Sequence, residues 1–536
     1  MEMSAVALIA SAFILIITDM ELEESTPILV GGGQFTEKDV APERALSPMG
    51  IAAAAARAAL SDTGIGDKLT PLIDTLMVIR IIFDSTNRPR LPIPFGRAEN
   101  PPRAVARRIG ANPTHAIYGN VGGNTPQKYI NEMAEKIATG DVDVALITGS
   151  EAIRTAQLAL RNDLELDWQE HDEGSQEDRG LGEKLATPHE FAHGLGIPIQ
   201  TYPLFENAIR GARGDTIEDH MLSMGKLFAR FTEVAATNPF AYYGARRTAL
   251  ELATVTPENR LICFPYPKWM NAMDAVNQGA AVVMTSVGKA RELGIDPAKW
   301  VFLHGCGEAN EKILVSERVD YHSSPAMAAN TSSAFEMAGK CIDDMDYIDI
   351  YSCFPSAVEI ACDELGLRYD DPRGLTVTGG LPFFGGPGNN YSMHAIATML
   401  PLLRAAPSKF GLVTANGGYL SKHATGIYSA TATKGRWRRE SPARYQADID
   451  EMASPEFIET PSGKATVETY TVCCKRGIPQ RGIIIGRLHG SDQRFVANTP
   501  DDMHTLQSMM TEEYLNKAGT VASSEGLNTF TPALAG

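Results

Sequence analysis

Gly122-Gly123-Asn124-Thr125-Pro126-Gln127 opens a helical pattern that ends at Thr139-Gly140 and leads into the apolar run Ala145-Leu146-Ile147-Thr148-Gly149. The same order of parts returns at Gly388-Asn389-Asn390, which opens a second helical pattern leading to Gly411-Leu412-Val413-Thr414-Ala415. From Asn124 to Thr148 is 24 positions, and from Asn390 to Thr414 is also 24. A loop–helix–strand unit recurring at equal spacing predicts two similar halves, each presenting backbone N–H groups at a helix N-terminus. Brought together, two such ends frame one shared site.

Outward from these units, short β-branched runs alternate with helical patterns over residues 27–435, the signature of an α/β fold with buried parallel strands. Strands are expected at Ile28–Val30, Val144–Thr148, Ala280–Thr285, Ile348–Tyr351 and Leu412–Thr414, and helices at Met49–Ser61, Pro126–Thr139, Ser356–Leu365 and Tyr391–Leu403. About 130 residues between Gly149 and Gly279 read as an inserted subdomain. It holds an acidic loop, Glu165 to Glu183, and two helical segments, Thr216–Val234 and Tyr242–Ala253. Lys226, Arg230, Arg246 and Arg247 on those segments are the local cations best suited to holding phosphates. Each taken alone also fits a solvated helix face.

Beyond the basic stretch Lys434-Gly435-Arg436-Trp437-Arg438-Arg439, read as a solvated linker, the pattern changes to short strands and turns. Ala465–Cys474, Gly482–Leu488 and Arg494–Ala497 alternate as strands, with a turn at Arg476-Gly477-Ile478-Pro479. They predict a small β-barrel, of the oligonucleotide/oligosaccharide-binding (OB-like) shape, ending in a helix over Asp501–Leu515.

Composition bounds the function. The chain has 536 residues, 44% hydrophobic and 21% charged, with 48 Lys and Arg against 65 Asp and Glu for a net charge of −17. This is a folded multi-unit protein, and its charge opposes binding to nucleic acid or anionic membranes. Seven scattered Cys form no paired Cys-x-x-Cys sets, so neither a disulfide framework nor a zinc site is indicated and a reducing cytoplasm fits. Ala5 to Ile17 is apolar but shorter than a membrane span, with no preceding Lys or Arg. Folding is expected to start near Met20, residues 1–19 lying outside the fold, with no stable membrane insertion; the rival reading is an N-terminal anchor.

Taken together, these motifs resemble the thiolase superfamily over residues 27–435, closest to the sterol-carrier-type thiolases, and the C-terminal barrel resembles the added domain of thiolase-like proteins of type 1. The resemblance implies a two-half, five-layered α/β/α/β/α thiolase fold with an inserted coenzyme A-binding loop domain. On that division 20–290 is the first half, with its loop domain at about 151–278, 291–435 is the second half, and 440–536 is the OB-like domain. Asn259-Arg260-Leu261-Ile262-Cys263-Phe264-Pro265-Tyr266-Pro267, after Asn238-Pro239, resembles the segment leading from the sterol-carrier-type loop domain into the core.

Four motifs carry thiolase chemistry, and each departs here. Gly123 stands where the acylated Cys belongs, at a helix start that Thr125 as N-cap and Pro126 as N1 keep intact. Tyr351-Ser352-Cys353-Phe354 stands for the Asn-Glu-Ala-Phe or His-Asp-Cys-Phe motif, with Cys353 expected to be a packed thiol. Gly385-Gly386-Pro387 replaces Gly-His-Pro, so the base is glycine at Gly386; Tyr391 and His394 lie on the next helix, His394 reading more readily as structural. Ala415-Asn416-Gly417-Gly418-Tyr419 replaces the Cys-x-Gly segment, with Ala415 for the second Cys. The backbone N–H groups of Gly123 and Gly417 match the thiolase oxyanion pair.

Three readings follow. The first is an acyl-coenzyme A-binding member of the superfamily, linked to lipid metabolism, without thiolysis through an acyl-Cys. The second is a retro-aldolase, or another carbon–carbon bond enzyme acting on acyl thioesters, using Tyr351, Tyr391 or Tyr419 as acid/base. The third is a noncatalytic scaffold. In none is a cofactor permanently bound; coenzyme A or acyl-CoA is the ligand. No metal is expected, and the chain is a monomer or homodimer.

Overall fold

The computed structural model describes residues 22–86 and 94–533. The apolar run Ala5 to Ile17 and Met20 lie outside the described residues. Nine strands form the core: β1 (Pro27–Thr36), β2 (Thr75–Val78), β3 (His115–Tyr118), β4 (Val144–Ala152), β5 (Asn277–Ser286), β6 (Val301–Asn310), β7 (Tyr347–Asp349), β8 (Phe410–Gly417) and β9 (Lys422–Ser429). Every expected core strand is present. The Ile348–Tyr351 run stops pairing at Asp349, which frees Tyr351 and Ser352 to leave the sheet edge.

The strand order carries the duplication. One side reads β3-β2-β4-β5-β1 and the other β7-β8-β9-β6, with β1 and β6 meeting antiparallel at the centre through Ile28↔Phe302 and Leu29↔Val301. The order β2-β4-β5-β1 on one side corresponds to β7-β8-β9-β6 on the other, which has no counterpart of β3 among the described residues. β2 and β4 are parallel, as are β7 and β8, and β5 runs against β4 as β9 runs against β8. Burial on both faces explains the continuous apolar runs: Val144–Ala152, parallel to β2, and Ala280–Thr285, antiparallel to both β1 and β4, are buried at every position.

Helices cover both faces. Those used below are α1 (Pro48–Asp62), α2 (Thr125–Thr139), α3 (Pro198–Arg213), α4 (Ile217–Ala235), α5 (Pro325–Ala338), α6 (Pro355–Leu365) and α7 (Tyr391–Ala405). A glycine pair on each central strand sets how closely two of them dock. A Cβ built on Gly31 or Gly33 of β1 would strike the α1 backbone at Ala59, and one on Gly305 or Gly307 of β6 would strike the α5 backbone at Ala334 or Asn330. The same Gly-x-Gly spacing thus does the same steric work in each half.

Three sequence expectations change. The Tyr242–Ala253 segment is helical only over Ala249–Ala253, where Thr248 and Glu251 form a capping box; the preceding residues run irregularly past Phe383 and Phe384. The basic stretch 434–439 is solvated only in part, with Lys434, Gly435, Arg436 and Arg438 exposed. Trp437 is buried and its indole N–H donates to the Leu303 carbonyl at 2.8 Å, while Arg439 pairs with Glu308 and, at 3.1 Å, with Glu135. The last helix spans only Met503–Thr511, and two strands follow it.

Those strands close the barrel. Strands β10 (Gly463–Lys475), β11 (Ile478–Leu488), β12 (Arg494–Asn498), β13 (Ala518–Ser524) and β14 (Leu527–Pro532) pair in the cyclic order β10-β11-β12-β14-β13-β10, with β12 and β14 parallel. A helix between the third and fourth strands completes the OB-like arrangement. The barrel rests on the inserted α3: Asn207 Nδ2 donates to the Tyr470 carbonyl at 2.9 Å, Thr469 Oγ1 to the Leu204 carbonyl at 2.6 Å, and Arg210 pairs with Glu513 at 2.6 Å. Among the described residues no helix is long and apolar enough to cross a membrane.

Gly33→Ala tests the helix–strand approach. The obstructing atoms are backbone, so no side chain can yield, and the substitution is expected to lower stability by more than about 2 kcal/mol in denaturant unfolding; a wild-type midpoint contradicts this packing.

Candidate functional site

The two helix-opening loops meet. The Gly122 N–H donates to Asn389 Oδ1 at 3.1 Å, and Ser392 Oγ, in the first turn of α7, donates to the Gly123 carbonyl at 2.9 Å. Asn389 Nδ2 donates onward to the Arg80 carbonyl at 2.8 Å and to Ser85 Oγ at 3.0 Å, while Asn390 Nδ2 donates to the Gly149 carbonyl at 2.7 Å. Each loop is therefore held by side chains from the other half.

The local caps differ from the expected ones. Asn124, not Thr125, is the N-cap of α2, and Thr125 is the first helical residue, its hydroxyl donating to the Gly122 carbonyl at 2.7 Å. Asn124 makes no side-chain cap, and its Oδ1 is buried without a hydrogen-bond partner among the described residues, as is Asn416 Oδ1 at the end of β8. Two orphan acceptors at one site mark positions that an incoming donor or water satisfies.

Gly123 and Gly417 lie side by side: a Cβ on Gly417 would sit 3.1 Å from the Gly123 nitrogen and 3.1 Å from Gly122 Cα. At Gly123 itself there is no space for a side chain. A Cβ there would collide with the Tyr351 hydroxyl and the Asn416 carbonyl, and would lie 2.8 Å from Tyr351 Cζ. Gly386 is different, since a Cβ there meets nothing closer than Leu381 Cδ2 at 3.4 Å. Ala415 is enclosed within β8.

Of the four candidate acid/base groups, the structure brings Tyr351 and Tyr391 together, edge to face with centroids 5.4 Å apart. Burial pushes both hydroxyls up, so both are neutral phenols. Tyr391 is anchored: its hydroxyl lies 2.5 Å from Thr378 Oγ1 and donates to Asp349 Oδ1 at 3.4 Å. Asp349 Oδ2 meanwhile accepts from Val377 N–H at 2.9 Å and from Thr376 and Thr378 hydroxyls at 3.0 Å. The Tyr351 hydroxyl makes no hydrogen bond among the described residues, which leaves it available at the face of Gly123.

His394 and Tyr419 are placed otherwise. His394 packs edge-on to Phe384 at 5.0 Å, and its Nδ1 lies 2.8 Å from Gln34 Oε1; because Gln34 Nε2 donates to Thr398 Oγ1 at 3.0 Å, that amide orientation assigns the proton to Nδ1. Burial drives the imidazole down to about 3. Tyr419 sits in the β8–β9 turn, where its N–H donates to Ser421 Oγ at 3.3 Å and its carbonyl accepts from Arg318 at 3.4 Å. Cys353 is buried beside Asn416 Nδ2 at 3.9 Å, and burial pushes its thiol up to about 12, so it is a thiol at neutral pH.

Tyr202, absent from the motif reading, completes the site. It comes from the inserted α3, accepts from Asn416 Nδ2 at 2.9 Å and from Leu420 N–H at 3.0 Å, and stacks on Phe354 at 4.4 Å. Nothing in its helical surroundings marks it in sequence; the only signal is the Phe354 of the quoted motif, which needs an aromatic partner. The four candidate phosphate-binding cations are dispersed in role. Arg247 lies over the Trp269 ring at 3.4 Å, Arg230 lies near Asp370 and Asp371, Lys226 lines a cleft with Arg213 and Arg368, and Arg246 is exposed.

A duplicated α/β core with paired Gly-Asn loops at its centre, an inserted helical segment and an added barrel define a protein of the thiolase superfamily. The family model of the thiolase-like protein type 1 additional C-terminal domain matches residues 445–526. The crystal structure of a monomeric SCP2-thiolase-like protein type 1 from Mycobacterium smegmatis is 39% identical with TM-score 0.80, covering 96% of this chain and 100% of that one. The chain therefore belongs to the SCP2-thiolase-like protein type 1 family. An Ltp2-ChsH2(DUF35) aldolase shares the fold at TM-score 0.53 and 19% identity, covering 76% of this chain and 98% of that one. The acetyl-CoA acetyltransferase of Syntrophomonas wolfei is 29% identical over 144 residues, 27% of this chain, and the match spans 34% of that relative's length.

His394 yields a pH prediction. Above pH 6.5 the imidazole is neutral in folded and unfolded chains alike; between 6.5 and about 3 only the unfolded chain takes up the proton. Its contribution is thus complete above 6.5 and is lost as pH falls, at up to about 1.4 kcal/mol per unit. His394→Gln is expected to flatten that part of the stability–pH curve, and an unchanged slope contradicts the assignment.

Proposed function

We propose that this chain binds acyl-coenzyme A thioesters at the Gly123–Gly417 centre and does not form an acyl-cysteine. The observation that carries the reading is the occupancy of the space beside Gly123. Where the family's nucleophile projects its side chain, the Tyr351 hydroxyl and the Asn416 carbonyl already stand. In a thiolase the helix N-terminus and neighbouring N–H groups favour a thiolate there; here the helix start remains and the sulfur is gone. Gly386 and Ala415, at the positions of the base and second Cys, supply no proton acceptor. Loss of parts that act as a unit removes the covalent route, because surviving groups do not substitute for the nucleophile.

What remains suits a thioester carbonyl. The closeness of the Gly123 and Gly417 backbones supports their role as an oxyanion pair, and the orphaned Asn124 and Asn416 oxygens can accept from a bound ligand's amide or hydroxyl. Lys226, Arg230, Arg246 and Arg247 are the cations assigned to the coenzyme's phosphates, the ligand being exchangeable rather than resident. A second reading rests on Tyr351. A neutral hydroxyl with no other partner among the described residues, facing an oxyanion pair, is placed to donate its proton to the enolate carbon left when the carbon–carbon bond of a β-hydroxyacyl thioester breaks, with the N–H groups holding the enolate oxygen and the substrate's β-hydroxyl proton passing to solvent. The likeness in fold to an Ltp2-ChsH2(DUF35) aldolase supports this reading.

Intact-mass spectrometry after incubation with acetyl-coenzyme A tests the first reading. Wild type is expected to keep its unmodified mass, and Gly123→Cys is expected to stay unacylated and melt at a lower temperature because Tyr351 and Asn416 block the new side chain. Acylation of any native Cys at turnover rates contradicts the reading, as does calorimetry showing no heat with coenzyme A or acyl thioesters. For the second reading, cleavage of 3-hydroxyacyl-coenzyme A by wild type is expected to fall at least about a hundredfold in Tyr351→Phe, the range of a lost general acid/base; an equal rate removes Tyr351 from it.

A further inference from the structure

Away from the Gly123 centre, three ionisable side chains from three helices converge in the interior. Glu206 of α3, His220 of α4 and Glu359 of α6 are each 0% exposed, and one ligating atom from each lies within 4.8 Å of the other two. The outward atom of every member is held by a partner of its own. Tyr266 Oη donates to Glu206 Oε2 at 2.6 Å while contacting Ser356 Oγ at 2.7 Å, Asp215 Oδ2 lies 3.4 Å from His220 Nδ1, and Arg213 donates to Glu359 Oε2 at 2.9 Å. The inward atoms are then Glu206 Oε1, His220 Nε2 and Glu359 Oε1. Glu206 Oε1 and His220 Nε2 are 2.6 Å apart, whereas Glu359 Oε1 is buried with no hydrogen-bond partner among the described residues.

A carboxyl oxygen left unpaired in a fully enclosed position is costly and calls for an explanation. One imidazole nitrogen with two carboxylate oxygens is a donor set for zinc and its first-row neighbours. The outer partners are those that orient such ligands: a carboxylate on the far nitrogen of the His, and a phenol and a guanidinium on the far oxygens of the Glu residues. Arg213 stands between the cluster and a surface cleft: it pairs with buried Glu359 and, at 3.2 Å, with the half-exposed Asp363, lies over the Tyr369 ring, and lines the cleft with Lys226 and Arg368.

We propose that Glu206, His220 and Glu359 form a site for one divalent transition-metal ion of the zinc class, which ties the inserted helices α3 and α4 to core helix α6. Ligands about 2.0–2.2 Å from such an ion stand roughly 3.3 Å apart, so binding needs Glu206 and His220, now 2.6 Å apart, to separate by about 0.7 Å and the most distant of the three atoms, within 4.8 Å, to close by up to about 1.5 Å. The ion takes the lone pair of neutral His220 Nε2 and one oxygen from each carboxylate, with any proton the three side chains carry released to solvent. Binding of this kind stabilises the folded chain by mass action and has no part in acyl-thioester chemistry.

The test uses the full chain, stripped with chelator, reloaded with zinc chloride alone and passed through gel filtration before metal analysis. About one zinc per chain is expected, together with a rise in melting temperature and, with cobalt(II) in place of zinc, visible d–d absorption. Glu359→Gln, which is nearly isosteric, and His220→Asn are each expected to lower retained metal at least tenfold and to abolish the thermal shift, with far-UV circular dichroism confirming the fold. A wild-type chain that retains no zinc overturns the proposal and leaves a hydrogen-bonded acid–imidazole pair. Unchanged metal content and spectrum in Glu359→Gln overturn it equally, whatever His220→Asn does to folding.

Discussion

The contact between two loops 266 positions apart in sequence holds the functional centre together. The Gly122 N–H reaches Asn389 across the pseudo-symmetric core, and Ser392 returns a hydroxyl to the Gly123 carbonyl. Both bonds are buried, where an unmet backbone group is expensive, so neither loop can be reshaped alone. This mutual hold fixes the start of α2, brings Gly123 beside Gly417, and leaves the helix end facing Tyr351. The duplicated sheet beneath it makes the arrangement possible, because β4 and β8 deliver the two loop–helix units to the same level.

Within that frame, packing decides what position 123 can hold. Glycine there leaves room that a neighbour can fill, and Tyr351 fills it from the end of a strand cut short at Asp349. The space beside Gly386 is not filled in the same way, which makes it the more open of the two positions. The anchored Tyr391–Thr378–Asp349 network and the neutral His394 behind Phe384 surround the centre as structure.

Much of this was legible in the sequence, and the parts that were not share a physical reason. Equal spacing of Asn124–Thr148 and Asn390–Thr414 disclosed two halves, and apolar runs located the core strands, because periodicity and burial are local properties of the chain. The paired glycines at 31 and 33, and at 305 and 307, carried the same message, legible only once their strands are known to face helices. Tyr202, Asn416 and the Glu206–His220–Glu359 group escaped because their partners lie far away in sequence and their own neighbourhoods are ordinary. Trp437 and Arg439 misled for a related reason: a basic stretch reads as solvated until Glu135 and Glu308 are found opposite it. The two final barrel strands, rich in Ser, Thr and Gly, lack the apolar run that betrays a strand elsewhere.

The added barrel is fastened to the inserted α3 through Asn207, Thr469 and Arg210, and the same helix supplies Tyr202 to the centre. The appended and inserted parts therefore bear on one site through a single element, and the central claim concerns what that site does with a thioester. A crystal structure of the chain with bound acetyl-coenzyme A tests it most directly. The account predicts an intact thioester whose carbonyl oxygen lies within hydrogen-bond reach of the Gly123 and Gly417 N–H groups, with Tyr351 alongside. Density continuous from the acyl carbon to a cysteine sulfur, or a coenzyme bound with its thioester away from Gly123, would contradict it.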